Sequence, residues 1–343
     1  MPQPFPVPTR ILVIQLRQIG DVLLTTPALK ALRDFYPGCR IDCLTEPGPA
    51  GILQGNPHLD AVILRKRKAT LREDWALIGS LRRTKYDLVI DFFSNPRSAI
   101  LARLSGAACR VARHRFGRNF WYTHTPRRDP QEASYSPDHK LALLRAIGIP
   151  AQLCPPIIHV PEEAKARIDL FLKESGIRSE TRLVTLDITS RQQEKKWEGA
   201  RFVQLADWLV EQFGARVVFI WGPGEQEEVT RLITQARHPH TLACATSLME
   251  LAALIQESHL HIGNCSGPRH IAVAVGTPTL TIMGPTYPAN WTYPAPEHQA
   301  VWGDAHCPDC RKQTCPIHKH MGDVTVEAAQ AAVEAMFRSG VVQ

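Results

Sequence analysis

Short runs of β-branched apolar residues recur along this chain, with segments of helical periodicity between them. Residues 11–16 (ILVIQL) are apolar almost throughout, without the polar alternation of a strand that faces water on one side. Such a run fits a strand covered on both faces, as in a parallel sheet. After the turn 17–20, Val22, Leu23, Leu29, Leu32 and Phe35 fall at helical spacing and predict one helix over 21–35. Further strands are expected at 40–44, 61–64 and 88–93, with a helix at 73–85. Strand, helix, strand at this pitch builds βαβ units.

The pattern pauses where Gly148, Pro150, Pro155 and Pro156 crowd together, which reads as an interdomain linker. A second series then runs strand 183–186, helix 200–213, strand 217–221, helix 226–236, helix 248–258, strand 260–262, helix 267–275 and strand 279–283. Two domains are expected, 1–155 and 156–343, the second ending in a cysteine-rich tail and a terminal helix. Ligands of doubly wound sheets bind beyond the C-terminal ends of the strands, here in a cleft between the two lobes.

Charge separates the halves. Residues 1–150 carry 23 Lys or Arg against 12 Asp or Glu, whereas the remainder is slightly acidic and the whole chain stands at +7. From Phe92 to Arg128 no acidic residue occurs, while Arg97, Arg103, Arg110, Arg113, Arg115, Arg118, Arg127 and Arg128 all do. A second group runs Arg65, Lys66, Arg67, Lys68, Arg72. A one-sided basic field with Phe116, Phe120, Trp121 and Tyr122 among it suits an anionic partner, although a solvated basic face has the same composition. No apolar run reaches the roughly 20 residues of a membrane helix, and the first ten residues lack the features of a signal peptide. A cytoplasmic protein with mostly reduced thiols is expected.

Four segments could carry chemistry. Asp21 follows the first strand at a helix start, where it serves either as a cap or as a general base. Thr189, Ser190 and Lys195, with Lys196, follow the first strand of the second half and could cradle phosphate. Ser266 and Gly267 open a helix whose free N–H groups and positive dipole end suit a diphosphate, with His270 one turn in. Cys307, Cys310 and Cys315, with His318 or His320, have spacing suited to a structural zinc or to packed thiols. Neither G-x-G-x-x-G after the first strand nor a Walker G-x-x-x-x-G-K-[ST] occurs, which argues against NAD enzymes and P-loop NTPases, and the absence of G-x-S-x-G removes the usual nucleophile elbow.

Taken together, ILVIQLRQIGDVLLTTPALKAL (11–32), the KKW at 195–197 and NCSGPRHIAVAVGTPTLTIMGPTYP (264–288) resemble glycosyltransferase family 9, the ADP-heptose:lipopolysaccharide heptosyltransferases. The resemblance implies a GT-B fold, two Rossmann-like doubly wound domains facing each other across a cleft. It implies inverting transfer of heptose from ADP-heptose to a lipid A-linked inner-core acceptor, at the inner face of the inner membrane. Asp21 matches the base. Lys195, Thr189, Ser190, Ser266, Gly267 and His270 match the donor diphosphate site. No catalytic metal or cofactor is implied. Three positions depart from the pattern: Cys265 replaces an aspartate near the donor sugar, Arg269 replaces an apolar residue, and Gln226 replaces a glutamate near the ribose, with Glu225 and Glu227 beside it. Arg65, Lys66, Arg67, Arg113, Arg115 and Arg118 are assigned to the acceptor and to the anionic inner-leaflet surface. The rival readings are a transferase of another nucleotide sugar, and a non-catalytic membrane- or nucleic-acid-binding protein on a decayed transferase fold. No nucleic-acid motif appears, so no nucleic-acid partner is expected.

Overall fold

The first expected strand forms as β1 (Arg10–Ile14), and its residues Ile11 to Ile14 are fully buried. Both faces of β1 are covered, which is why the run needs no polar alternation. The structure is a computed structural model describing residues 7–127, 135–284, 286–303 and 319–342. The chain divides into two units, Met1–His159 and Val160–Gln343.

In the first unit, β1 pairs in parallel with β2 (Arg40–Thr45) and β4 (Leu88–Asp91). The edges are β3 (Ala61–Leu64) and β5 (Cys109–Ala112), giving the order β3-β2-β1-β4-β5. Helices α1 (Ile19–Leu23), α2 (Thr26–Phe35), α3 (Pro47–Ala50), α4 (Leu71–Thr84), α5 (Pro96–Leu104) and α6 (Asp138–Arg145) complete it. Helix α4 starts two residues earlier than expected, because Thr70 and Glu73 form a reciprocal capping box. Strand β5 was invisible to apolar patterning, since Arg110 interrupts it within the basic stretch.

One correction bears on the site. The helix expected over 21–35 is two helices, broken at Leu24–Thr25. Pro27 has no N–H for the Leu23 carbonyl four residues back, and the Thr26 hydroxyl takes that carbonyl instead at 2.7 Å. The Thr25 N–H turns to Val22 O, leaving the Asp21 carbonyl without its helical donor. The Thr25 hydroxyl fills that place at 2.8 Å.

The second unit holds a parallel sheet in the order β11-β10-β9-β6-β7-β8. Its strands are β6 (Leu183–Asp187), β7 (Arg216–Ile220), β8 (Thr241–Leu242), β9 (Leu260–Asn264), β10 (Thr279–Met283) and β11 (His298–Trp302). Around it lie α7 (Glu162–Glu174), α8 (Gly199–Phe213), α9 (Gln226–Ile233), α10 (Leu248–Gln256), α11 (Gly267–Val275), α12 (Pro288–Trp291), α13 (Lys319–Asp323) and α14 (Val326–Arg338). Its core gathers Leu186, Trp197, Phe202, Phe219, Ile262, Ile282 and Met336. Trp197 is fully buried, edge-on to Phe202 with ring centroids 4.8 Å apart, and its indole N–H donates to the Val324 carbonyl at 2.8 Å. Among the described residues no helix is long and apolar enough to cross a membrane.

Candidate active site

In each sheet the winding reverses beside the strand that opens the series. β1 lies between β2 and β4, and β6 lies between β7 and β9. Crossovers on the two sides leave such a point in opposite directions, so the chain ends there stay uncovered and ligands bind. Asp21 follows β1. Asp187 and Thr189 close β6, and Asn264 to Ser266 close β9.

At the first point, Asp21 is the third residue of α1 and Gln18 is its N-cap. The Asp21 carboxylate accepts the Gln18 N–H at 3.2 Å through Oδ2, while Oδ1 has no hydrogen-bond partner among the described residues. The side chain is half-buried. One carboxylate therefore caps the helix and still presents an oxygen. The partly exposed Arg17 guanidinium lies 5.8 Å from the Phe93 ring centroid, on the loop after β4. That loop is organised by Asp91, which is fully buried and accepts from Tyr122 Oη at 2.7 Å and from the Ser94 N–H at 2.9 Å. Burial pushes the Asp91 carboxyl above its ordinary range.

Lys140, absent from the sequence reading, also reaches this turn. Its ammonium donates to the Asp21 carbonyl at 2.5 Å and to Thr25 Oγ1 at 2.6 Å. Burial lowers its pKa to about 8, against the opposing attraction of Asp21. No local sequence signal marks it, since 119 residues separate the partners.

At the second point, hydroxyls and carboxylates interlock. Ser266 Oγ donates to Asp187, and Thr189 Oγ1 donates to Glu225 at 2.7 Å and lies 3.2 Å from Asp187 Oδ1. Asp187 is buried and its pKa is raised to about 6, by burial first, with the nearby Glu225 adding to it. Gly263 sits opposite Asp187 in register, and a Cβ there would come within 2.8 Å of Asp187 Cβ, so only glycine lets the strand ends meet so closely. Asn264 stitches the loop: its side chain accepts the Trp197 N–H at 2.9 Å and donates to Thr189 O at 3.2 Å. Buried Trp197 thus anchors the segment carrying Lys195 and Lys196. Lys196 is committed to Glu228, whereas Lys195 has no carboxylate partner among the described residues. Among the described residues Ser190 bonds only within its own turn, to Gln192.

Gln226 does not join this cluster. It is exposed at the start of α9, and the Glu225 carboxylate turns inward, accepting the Gly222 N–H at 2.8 Å. The one-residue difference follows from the turn, which uses Glu225 Oε2 to close on Gly222. Arg269, which replaces an apolar residue, is itself buried and donates to the Trp291 carbonyl at 2.5 Å. His270 is buried, with its ring 6.2 Å from that of Trp291. Cys265 is a partly exposed free thiol. Ser266 is the N-cap of α11 and Gly267 its first residue; because the Ser266 hydroxyl goes to Asp187, it makes no capping bond to the helix.

Of the basic residues assigned to the acceptor side, Arg65 does not qualify. It is 2% exposed and ion-paired to Asp74 at 2.7 Å, because α4 brings its first turn back over the end of β3. Lys66 is exposed and pairs with Glu73, and Arg67 and Arg115 are exposed. Arg113 and Arg118 are partly exposed, and Arg118 donates to Ser94 O at 2.8 Å. Phe116 is 98% exposed among them. Cys307, Cys310, Cys315 and His318 lie outside the described residues, as do Arg128 and the side chain of His320. Among the described residues no cluster of three His, Cys, Asp or Glu could hold a metal.

Two doubly wound parallel sheets, each with a polar cluster where its winding reverses, make the GT-B type of transferase fold, and solved structures carry it over nearly the whole chain. The structure of a glycosyltransferase family 9 protein from Veillonella parvula superposes with a TM-score of 0.84 at 25% identity, covering 96% of this chain and 97% of that one. The Escherichia coli ADP-heptose LPS heptosyltransferase II gives 0.80 at 20% identity, over 96% and 99%. In sequence, a lipopolysaccharide heptosyltransferase 3 from Escherichia coli is 30% identical over 283 residues, 79% of this chain and 82% of that protein. The family model described as glycosyltransferase family 9 (heptosyltransferase) matches residues 74–321. The chain belongs to glycosyltransferase family 9, the heptosyltransferases, and is a glycosyltransferase. The matched residues begin beyond Asp21, so the β1–α1 turn rests on its own geometry.

Proposed function

We propose that this enzyme transfers a heptose, with inversion, from ADP-heptose to the inner core of lipopolysaccharide, the second unit holding the donor and the first the lipid-linked acceptor. The observation that carries the reading is the pair of polar clusters at the two winding reversals, one presenting a carboxylate oxygen and the other an uncapped helix start, to whose strand end Asn264 anchors the segment that carries Lys195. Asp21 Oδ1 takes the proton of the acceptor hydroxyl. The hydroxyl oxygen then forms its bond to the anomeric carbon while the bond from that carbon to the diphosphate breaks, and ADP leaves with the electron pair. Lys195 and the first turn of α11, beside Ser266, Gly267 and His270, stabilise the charge that develops on the diphosphate. These groups perform the task without a metal. The kinship with heptosyltransferases supports the sugar.

A second reading, transfer of another sugar, is favoured by Cys265 at the position where a carboxylate is expected. Asp187 and Glu225 are the carboxylates nearest that strand end. Incubation with ADP-heptose and a heptose-truncated core acceptor should add one heptose by mass spectrometry. Transfer from a different nucleotide sugar, with none from ADP-heptose, would select the second reading.

The enzyme works at the cytoplasmic face of the inner membrane. Lys66, Arg67, Arg113, Arg115 and Arg118 meet anionic lipid and the phosphorylated acceptor, and Phe116 enters the interface. Nucleic acid is not a partner. A structural zinc held by Cys307, Cys310, Cys315 and His318 or His320 completes the proposal, and elemental analysis of the purified protein reads it directly.

A further inference from the structure

The turn carrying Asp21 is held by an amine from a distant helix. The break between α1 and α2 leaves the Asp21 carbonyl without a backbone donor, and two side chains fill the gap: the Thr25 hydroxyl at 2.8 Å and the Lys140 ammonium at 2.5 Å. Lys140 also donates to that same Thr25 hydroxyl oxygen at 2.6 Å, so carbonyl, hydroxyl and ammonium close a three-membered network. No salt-bridge partner for Lys140 occurs among the described residues, although its charge is felt by Asp21. A surface lysine would gain little from such an arrangement. A partly buried one gives up hydration to make it, so the contact must hold something in place.

We infer that Lys140 is a positioning residue for glycosyl transfer, a charged tether from α6 that fixes the broken turn between α1 and α2 and thereby aims the Asp21 carboxylate at the acceptor hydroxyl. The inference rests on Asp21 acting as the base. A lysine in this place does what a helical N–H cannot: it satisfies the carbonyl while adding a positive charge beside a carboxylate that works ionised. Misaiming a reacting group by about 1 Å can cost on the order of 10²-fold in rate, so a tether on the base's own main chain acts on turnover rather than on substrate affinity.

The groups that set the charge state of Lys140 are few. Asp21 faces it from α1 and Cys43 from β2, the thiol being pushed up to about 12 by burial and therefore neutral. On its own helix, Asp138 is paired with Arg145, and His139 neighbours it in sequence. Helix α2 also packs against α6, and there Lys30 pairs with Asp34 and Arg33 with Asp60. With its pKa lowered to about 8, Lys140 is an ammonium at neutral pH and loses its proton as the pH rises through that value.

The test compares Lys140→Met, Lys140→Arg and Asp21→Asn in the transfer assay, with kcat, both KM values and ADP affinity measured across pH. Lys140→Met should lose roughly 10²-fold in kcat with donor KM and ADP affinity unchanged. Lys140→Arg should recover most of the rate and move the alkaline fall of kcat from about pH 8 to beyond the range of a guanidinium. Wild-type kcat in Lys140→Met, or an unmoved alkaline limb in Lys140→Arg, would overturn the inference. Should Lys140→Met fail to fold, the alkaline limb of Lys140→Arg still decides. Asp21→Asn separates the two claims. If it is inactive while Lys140→Met is normal, only the tether is wrong; if it is active, the base itself is wrong.

Discussion

Replacing Asp187 by asparagine should flatten the pH dependence of stability in the C-terminal unit. The carboxylate is buried at the end of β6, and its pKa is lifted from 3.8 to about 6, mainly because burial penalises its ionised form. The folded state therefore holds this proton more tightly than the unfolded chain does. Its contribution to stability is complete below about pH 4 and is lost as the pH rises through about 6. A lift of about two pKa units corresponds to on the order of 3 kcal/mol. An amide keeps an acceptor for Thr189, can donate to Ser266 Oγ, and has no charge to desolvate. Urea unfolding followed at several pH values between about 4 and 7.5 should show the variant gaining on wild type by that order across the window. Parallel curves would mean that burial does not lift the Asp187 pKa, and that the carboxylate is no more costly to ionise in the fold than in the unfolded chain.

Lys195→Ala should weaken ADP binding by roughly 1.5–3 kcal/mol in calorimetry, as a lost charge-assisted contact does, whereas Lys196→Ala, which only breaks the pair with Glu228, should do less. Binding to anionic vesicles should fall with salt, and should drop in a Lys66→Glu, Arg67→Glu, Phe116→Ser variant that keeps its ADP affinity, at about 1 kcal/mol per cation. Equal binding to neutral vesicles would remove the membrane from the account. Arg65→Glu should instead destabilise the fold by about 3–5 kcal/mol, since it leaves Asp74 facing a like charge at a buried site, and a melting curve reads that directly.

The parallel sheets were legible because their strands are buried on both faces: residues 11–14 show it as an unbroken apolar run, while 183–187 and 279–283 add only the buried Thr185, Asp187, Thr279 and Thr281 to their apolar residues. The split of the first helix was not read, because apolar spacing carries on through Thr25-Thr26-Pro27, where the break falls. The hydroxyls and the glycine after β6 and β9 could be found because those segments are contiguous in sequence. What decides the site beyond them is tertiary. Asp187 reads only as the first residue after a strand until Gly263 and Ser266 are brought against it. Glu225 and Gln226 differ only in which way a turn faces. Arg65 looks like its exposed neighbours until Asp74 returns over it, and Lys140 meets Asp21 across most of the first unit.

The central claim is that the carboxylate at the β1–α1 turn is the base for transfer, and the kcat of Asp21→Asn tests it most directly. An amide can still accept the Gln18 N–H that the carboxylate now takes, so fold and ADP affinity should stay within error of wild type. Transfer from ADP-heptose should fall by ~10²–10⁴-fold, the usual worth of a positioned general base. Turnover within about tenfold of wild type, with ADP bound normally, would contradict the account and move the proton acceptor elsewhere.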